Sequence, residues 1–505
     1  MRRLLLVTAA CAAFATSAVA QEGATPTLRI ALREDADLLD PTVARTYVGR
    51  IVFAGLCDKL FDIDEKLQIV PQLTTGYEWT DSKTLVLKLR PNVLFQDGTK
   101  MDAAAVKFTL DRDLTMEGSS RRGEIAAIDH VEVIDPTTVR VVLKTPNAPL
   151  IAALADRAGM IVSPKAATDA GRDFALHPVC AGPFKFTERV PQDRIVLDRF
   201  AQYWNADAIH FGRVVYQPIV DSTARLAALR AGSIDLSEQI LPTDVDTVKR
   251  DPKLKLAISD YLGYQVIDIN VGRGKPQGTS IAKDARVRKA FELSLDRTAM
   301  IQVVYAGLFT PTAQAIPPSS PFHDQAVQPP ARDVAKAKAL LAQAGVKAPV
   351  SVELMLANNP DIQQLGEVIQ SMAAEAGFDV KLRTTEFATA LDTAERGDYQ
   401  MFLEGWSGRV DPDGNTWNFL HTGGPLNYPG YSNPAVDQAL DGARTTTEQG
   451  ERKALYDKVS AQVEQDLPEL YLMVPKNIVG MSAKLSGFRA VPDGMIRLQG
   501  LTMAP

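Results

Sequence analysis

The sequence predicts an α/β protein of two lobes built on mixed sheets. Three observations carry that prediction. Amphipathic helices that end at a glycine and run directly into short apolar strands recur in both halves of the chain. At 505 residues with 46% hydrophobic content, the chain is longer than one core usually supports. No repeat-length period or low-complexity tract suggests a solenoid or a disordered array.

In chain order, 28–32 (LRIAL) alternates as a strand does, and 85–89 (LVLKL) repeats the signal before the Gln96-Asp97-Gly98 turn. Residues 101–113 read as a helix with Asp102 as N-cap and Val106 and Leu110 at helical spacing. Strands over 131–134 and 138–143 flank Asp135-Pro136 as a hairpin. A helix over 222–231 stops at Gly232, and 234–236 is a strand. In the second half, helices are expected over 284–298, 334–344 and 362–376, the last two ending at Gly345 and Gly377. Strands follow over 350–356, 379–382 and 399–403, and the Pro-rich 314–330 reads as an extended surface segment.

The ends and the composition bound the compartment and the partners. Arg2 and Arg3, an apolar run over 4–14 and Ala18-Val19-Ala20 give, in order, the parts of a secretory signal, so 1–20 reads as a cleaved export sequence. A periplasmic destination follows from it. A net charge of −6 leaves no basic footprint for nucleic acid. Beyond Cys11 in the signal, only Cys57 and Cys180 remain. An oxidising compartment permits a disulfide between them, and two separate buried thiols are the alternative.

Motifs for catalysis are missing. Gly405-Trp406-Ser407-Gly408 lacks the spacing of a serine-nucleophile elbow. There is neither a phosphate-cradling Gly-Lys-Ser/Thr loop nor a dinucleotide fingerprint. The five histidines, at 130, 177, 210, 323 and 421, have no partner at metal-ligand spacing beyond His177 near Cys180. The expectation is a protein that is not an enzyme and carries no cofactor, with an exported hydrolase as the weaker alternative.

The stretch GWSGRVDPDGN, 405–415, reads as a loop with both charge signs beside an indole. Asp411, Asp413 and Asn415 match the first three oxygen ligands of a calcium loop. The match fails at Thr416 and Thr422, where glycine and glutamate are needed. For Asp413 and Asn415 the favoured reading is turn formation through side-chain bonds to nearby N–H groups.

Several blocks together carry a family resemblance: Leu38-Leu39-Asp40-Pro41, LFDIDEKLQIVPQLTTGYEWTDSKTLVLKLRPNVLFQDGTKMDAAAVKFTLDR over 60–112, AGPFKF over 181–186, DARVRKAFELSLDR over 284–297, and the glycine-rich loop followed by YSNPAVDQAL over 431–440. In this order they resemble the extracytoplasmic solute-binding proteins of ABC importers, the dipeptide, oligopeptide and nickel-binding group. The resemblance implies a type II-like periplasmic-binding-protein clamp with mixed sheets and an extra subdomain in lobe I. It maps lobe I to 21–268 plus 476–505, with the extra subdomain within 58–180, and lobe II to 269–475. It further implies a monomer that captures a small or peptide-like solute and presents it to the importer's membrane permease subunits. A nickel or metal-chelate carrier of the same fold is the runner-up.

In peptide-binding relatives, an aspartate shortly before the matching Asp-Pro step receives the peptide's α-amine; here Arg409 takes that place. A second anchor, an arginine near the start of the helix at about 362, is replaced by Gln363 and Gln364. A guanidinium fork suits a carboxylate or phosphate and repels an ammonium group. The candidate ligand-binding residues are therefore Arg409, Trp406 as an aromatic wall, Asp411, Tyr264 and Tyr47, with no metal site. For Arg409 a structural lock on Asp411 and Asp413 stays open, and for the tyrosines core packing does.

Overall fold

The computed structural model describes residues 25–504; the expected signal at 1–20 lies outside them. A seven-stranded mixed sheet organises the first lobe. Its strands lie in the order Leu254–Asp260, Lys476–Ser482, Leu236–Ser237, Thr27–Leu32, Arg213–Pro218, Arg194–Arg199, Phe184–Val190. Thr27–Leu32 runs parallel to both of its neighbours, and the remaining pairs are antiparallel. Leu28, Ile30 and Leu32 are fully buried against Val48, Ile51 and Val52 of the helix Tyr47–Leu56.

The second lobe is built on six strands in the order Thr310–Pro311, Glu469–Val474, Tyr264–Ile269, Met401–Trp406, Val350–Ala357, Phe378–Thr385. Tyr264–Ile269 and Glu469–Val474 are buried along their whole length, so both faces of these strands are covered, and Gln265, Asp268 and Glu469 are buried with their apolar residues. The helix expected over 284–298 is two helices, Ala285–Leu293 and Arg297–Tyr305. The break arises at Asp296, whose carboxylate accepts from Ala299 N at 2.9 Å and starts the second helix. Part of the expected surface segment over 314–330 is core. Gln314 is 1% exposed, and its amide is satisfied by the Asp324 and Val327 carbonyls and the Asp324 N–H.

Two adjacent passages link the lobes. The chain leaves Leu254–Asp260 through Tyr261-Leu262-Gly263 into Tyr264–Ile269, and returns from Glu469–Val474 through Pro475 into Lys476–Ser482. The boundary expected at 268 thus falls inside a strand of the second sheet. Asp260 pairs with Lys476 on one side of the passage and Gln265 with Met473 on the other, so the two crossings run side by side. A Cβ at Gly263 would sit 1.7 Å from the Trp406 carbonyl oxygen, which restricts this tight passage to glycine.

A four-stranded antiparallel sheet, Thr74–Asp81, Thr84–Leu89, Thr138–Leu143, Ile128–Asp135, branches from the first lobe with the helix Ala103–Thr115 packed on it. Asp102 caps that helix by accepting from Ala104 N and Ala105 N. At the base of this excursion Cys57 and Cys180 are disulfide-bonded, with their Cα atoms 4.9 Å apart. Among the described residues no helix is long and apolar enough to cross a membrane.

Candidate functional site

Beside the double crossing lies a cavity of about 170 Å³ that takes its walls from both lobes. The first lobe contributes Arg33, Glu34, Tyr47, Arg121, Arg157 and Glu238; the second contributes Tyr264, Tyr305, Asn359, Asp361, Glu404 and Trp406. Tyr261 and Pro475 of the crossing segments, with Asn477 just beyond, also line it. A cleft with aromatic walls and a few convergent charges, placed where two lobes meet, has the character of a small-molecule site.

Three of the candidate residues line it. Tyr47 opens the helix Tyr47–Leu56, whose N-cap Thr46 accepts from Gly49 N at 3.3 Å. Its hydroxyl donates to Gly494 O at 3.0 Å, and the Arg33 guanidinium lies 4.7 Å over its ring. Tyr264 starts a central strand, is 1% exposed, and donates to Asn415 O at 3.2 Å. Trp406 ends the strand Met401–Trp406, with its indole N–H held between Gly414 O and Asn415 Oδ1, each at 3.0 Å.

The stretch 405–415 is less of a loop than its composition suggests. Gly405 and Trp406 complete a strand, and Asp413 begins the helix Asp413–Leu420. Asp411 does not reach the cavity: Arg452 engages both of its carboxylate oxygens, at 2.8 and 2.9 Å. Asp413 is held likewise by Arg444, at 2.7 and 2.8 Å. With both carboxylates so engaged, the lock between Arg409 and these aspartates does not form.

Arg409 turns the other way, toward the first lobe. Its Nε lies 3.3 Å from Asp156 Oδ2, its Nη1 donates to Gly408 O at 2.8 Å, and its guanidinium stacks 4.3 Å over the Trp406 ring. Asp156 also receives Arg50, whose Nη1 crosses to Ser407 Oγ at 3.0 Å. Arg157 and Arg121 both donate to Ala44 O, at 2.7 and 3.2 Å, and Arg121 pairs with Glu124. Burial, opposed by Asp156 and reinforced by Arg50, pulls Arg409 down to about 10. Asp156 lies well below the usual carboxylate range because Arg409, Arg50 and Arg157 outweigh its burial.

The second-lobe wall has the opposite character. Glu404 faces the cavity, and burial with Glu469 nearby pushes its carboxyl up to about 8. Asp268 and Glu469 on the neighbouring strands are both buried and raised well above their ordinary values, Asp268 by burial and then Glu404, Glu469 by burial and then Asp268. Asp268 and Glu404 share a hydrogen bond, as two carboxyls do when one keeps its proton.

Sequence reasoning missed Arg50, Arg121, Arg157 and Glu404. For Arg157 a signal existed: Asp156-Arg157 interrupts the otherwise apolar LIAALADRAGMIV, 150–162, and both are buried. Arg121 sits in an ordinary polar turn, and only the tertiary fold brings it to the cavity.

Comparison with known proteins accords with this architecture. The family described as bacterial extracellular solute-binding proteins, family 5 Middle, matches residues 68–427. The chain belongs to that family of solute-binding proteins. It is 28% identical over 485 residues to the glutathione-binding protein GsiB of Pectobacterium atrosepticum, covering 91% of each chain. It is 29% identical over 488 residues to GsiB of Salmonella typhimurium, covering 92% of each. Among solved structures, AgaA from A. tumefaciens R10 in complex with agropinic acid superposes with a TM-score of 0.86 at 27% identity, over 95% of this chain and 99% of that one. The ABC transporter-associated periplasmic protein DppA from Helicobacter pylori, in complex with the peptide STSA, shares the fold with a TM-score of 0.86 at 24% identity, over 94% and 98% of the two chains.

Proposed function

We propose that the protein is the substrate-binding component of an ABC importer. Exported to the periplasm by the signal at 1–20, it works as a monomer that captures a small polar solute, peptide-like or an anionic peptide derivative, and delivers it to the membrane permease. The lobes are taken as 21–260 plus 476–505 and 264–474, with the crossings between them as the hinge. Tyr47, Tyr264 and Trp406 act as cleft walls, and Arg409 sets a preference for negative charge.

One observation carries this reading: the cavity is shared between two lobes that are linked by two short adjacent crossings and otherwise touch across the cleft, through side chains and a bond from Ala148 N to Arg444 O at 2.8 Å. Such lobes open and close as bodies, and a solute favours closure by the contacts it makes only in the closed form. The solutes named for relatives, glutathione for GsiB and a peptide for DppA, set the first probes to try.

Native mass spectrometry of the protein as purified, followed by calorimetric titration with glutathione and a dipeptide and tripeptide panel, tests it. The expected result is saturable binding of one solute per chain with no loss of any component on incubation. Consumption of a panel member points to a hydrolase instead. A metal that copurifies in stoichiometric amount points to a chelate carrier.

A further inference from the structure

The second-lobe wall of the cavity carries acids that no basic side chain answers. Asp268, Glu404 and Glu469 stand on adjacent strands and on one face of the sheet. Asp268 lies opposite Glu469, and Glu404 lies opposite Val266, two residues from Asp268. Besides burial, what acts on the three is one another and the Tyr471 hydroxyl, which donates to Glu469. On the other flank of Glu404 the paired strand offers only Leu354, Met355 and Leu356. Tyr264 and Tyr428, also nearby, are raised by burial and stay neutral.

The basic groups facing the row across the cleft are already engaged. Arg33 pairs with Glu238, Arg45 with Asp392 and Glu395, and Lys476 with Asp260. Arg121 pairs with Glu124, while Arg157 and Arg409 share Asp156. The other cavity acids do have an arginine at hand: Arg33 draws on Glu34, and Arg33 and Arg225 draw on Asp361. Hydrogen bonding in the row is incomplete as well. Glu469 Oε1 and the Tyr399 hydroxyl are buried without a partner, and that hydroxyl lies within electrostatic reach of all three acids. Asp268 and Glu469 are each 2% exposed, whereas Glu404 is only half-buried and lines the cavity, so a solute meets the row at Glu404.

Among the described residues no group of three or more acids, histidines or cysteines is placed to hold a metal ion. Protons supply the missing positive charge instead. Burial, opposed by the Asp268 hydrogen bond and reinforced by Glu469, pushes the Glu404 carboxyl up to about 8. An ionised acid buried without a partner is costly, and a cation within about 4–6 Å reverses that preference.

We infer that Glu404 is the seat for a cationic nitrogen of the transported solute, an ammonium or guanidinium group, and that seating it expels the Glu404 proton to solvent. The inference rests on the carrier reading above and adds to it a charge requirement and a proton count. The O–H bond of Glu404 breaks, the proton passes to water, and the carboxylate pairs with the cation. Asp268 keeps its own proton and donates to the carboxylate left behind.

The test uses the full mature chain and probes in pairs that differ by one positive charge: glutathione and N-acetylglutathione, Gly-Arg and Gly-citrulline, Arg-Gly and citrulline-Gly. Calorimetric titration at pH 7 in phosphate and in Tris, whose ionisation enthalpies differ, counts the protons exchanged. In a pair that binds, the charged member is expected to bind about 10- to 100-fold more tightly than the neutral one and to release about one proton. For a guanidinium probe, which stays charged throughout, affinity should rise up to about tenfold per pH unit from pH 6 to pH 8 and level off above. Glu404→Gln should bring both members of the pair to equal affinity and abolish the release. The wild-type comparison and its proton count stand whether or not that variant folds. Neutral members that bind as tightly as charged ones, a charged probe bound without proton release, or a Glu404→Gln chain that keeps the preference and the release overturns the inference while leaving the carrier intact. If no member of any pair binds, the carrier reading falls and this seat with it.

Discussion

Arg409 and Asp156 form an ion pair across the cleft, Nε to Oδ2 at 3.3 Å, linking the end of a second-lobe strand to the subdomain that branches from the first. The arginine is therefore not a lock inside its own loop, since Asp411 and Asp413 are held by Arg452 and Arg444 instead. Its partner contact exists only while the lobes are together.

Replacing the two members of this pair should have unequal effects. Asp156→Asn leaves Arg50, Arg157 and Arg409 buried without their shared counter-ion, and a loss of about 3–5 kcal/mol in urea unfolding is expected. Arg409→Ala removes a charge from a region with too many, so the unliganded melting temperature should stay close to wild type. Its effect should show instead as loss of solute-induced stabilisation.

Arg45 offers a milder latch. It reaches from the first lobe to Asp392 at 2.5 Å and Glu395 at 3.0 Å in the second, and both acids are more than half exposed. Exposed pairs of this kind contribute about 0.2–1 kcal/mol. Arg45→Ala should raise the solute off-rate up to about fivefold in stopped-flow measurements, with a difference that shrinks as salt is added.

The buried acids make stability depend on pH with a definite sign. Glu404 is raised to about 8 from an ordinary 4.5, and Asp268 and Glu469 are raised as well. A carboxyl raised in the folded state binds protons more tightly there than in the unfolded chain. Its contribution is complete below the unfolded value and is lost as pH rises through the folded one. Unfolding free energy should therefore fall between about pH 5 and pH 8, by at most ~1.4 kcal/mol per pH unit for each proton involved. Glu404→Gln should flatten that slope in urea titrations at several pH values and stabilise the protein at pH 8.

The disulfide joins cysteines 123 residues apart and closes off the segment that carries the four-stranded sheet. Restricting so long a loop in the unfolded chain typically stabilises by about 2–4 kcal/mol. The double variant Cys57→Ser, Cys180→Ser should lose that amount in chemical denaturation, and reductant should produce the same shift in wild type.

Much of the architecture was legible where local signals coincide. The helix Ser222–Ala231 is legible at its end because Gly232, at φ 73°, stops it, and the structure adds Asp221 as its N-cap. The 284–298 helix was misread because apolar spacing continues across a break that only the Asp296 cap reveals. At the cleft, Tyr47, Tyr264 and Trp406 were accessible to reasoning because aromatic rings at strand and helix ends are natural walls. Arg409 stands out by its place in a motif, but its partner does not, since Asp156 lies 253 positions away and no local pattern couples them. Asp411 was misassigned for the same reason: nothing near it in sequence announces Arg452.

The paired crossings also dictate an order of assembly. The second lobe is one uninterrupted stretch whose two ends lie together, so it holds everything needed to acquire structure as soon as it has emerged. The first cannot be finished then, because Lys476–Ser482 is an inner strand wedged between Leu254–Asp260 and Leu236–Ser237. A chain that emerges from its amino end thus keeps its leading half incomplete until almost the last residues arrive, which delays stable folding of that half until the chain is nearly whole.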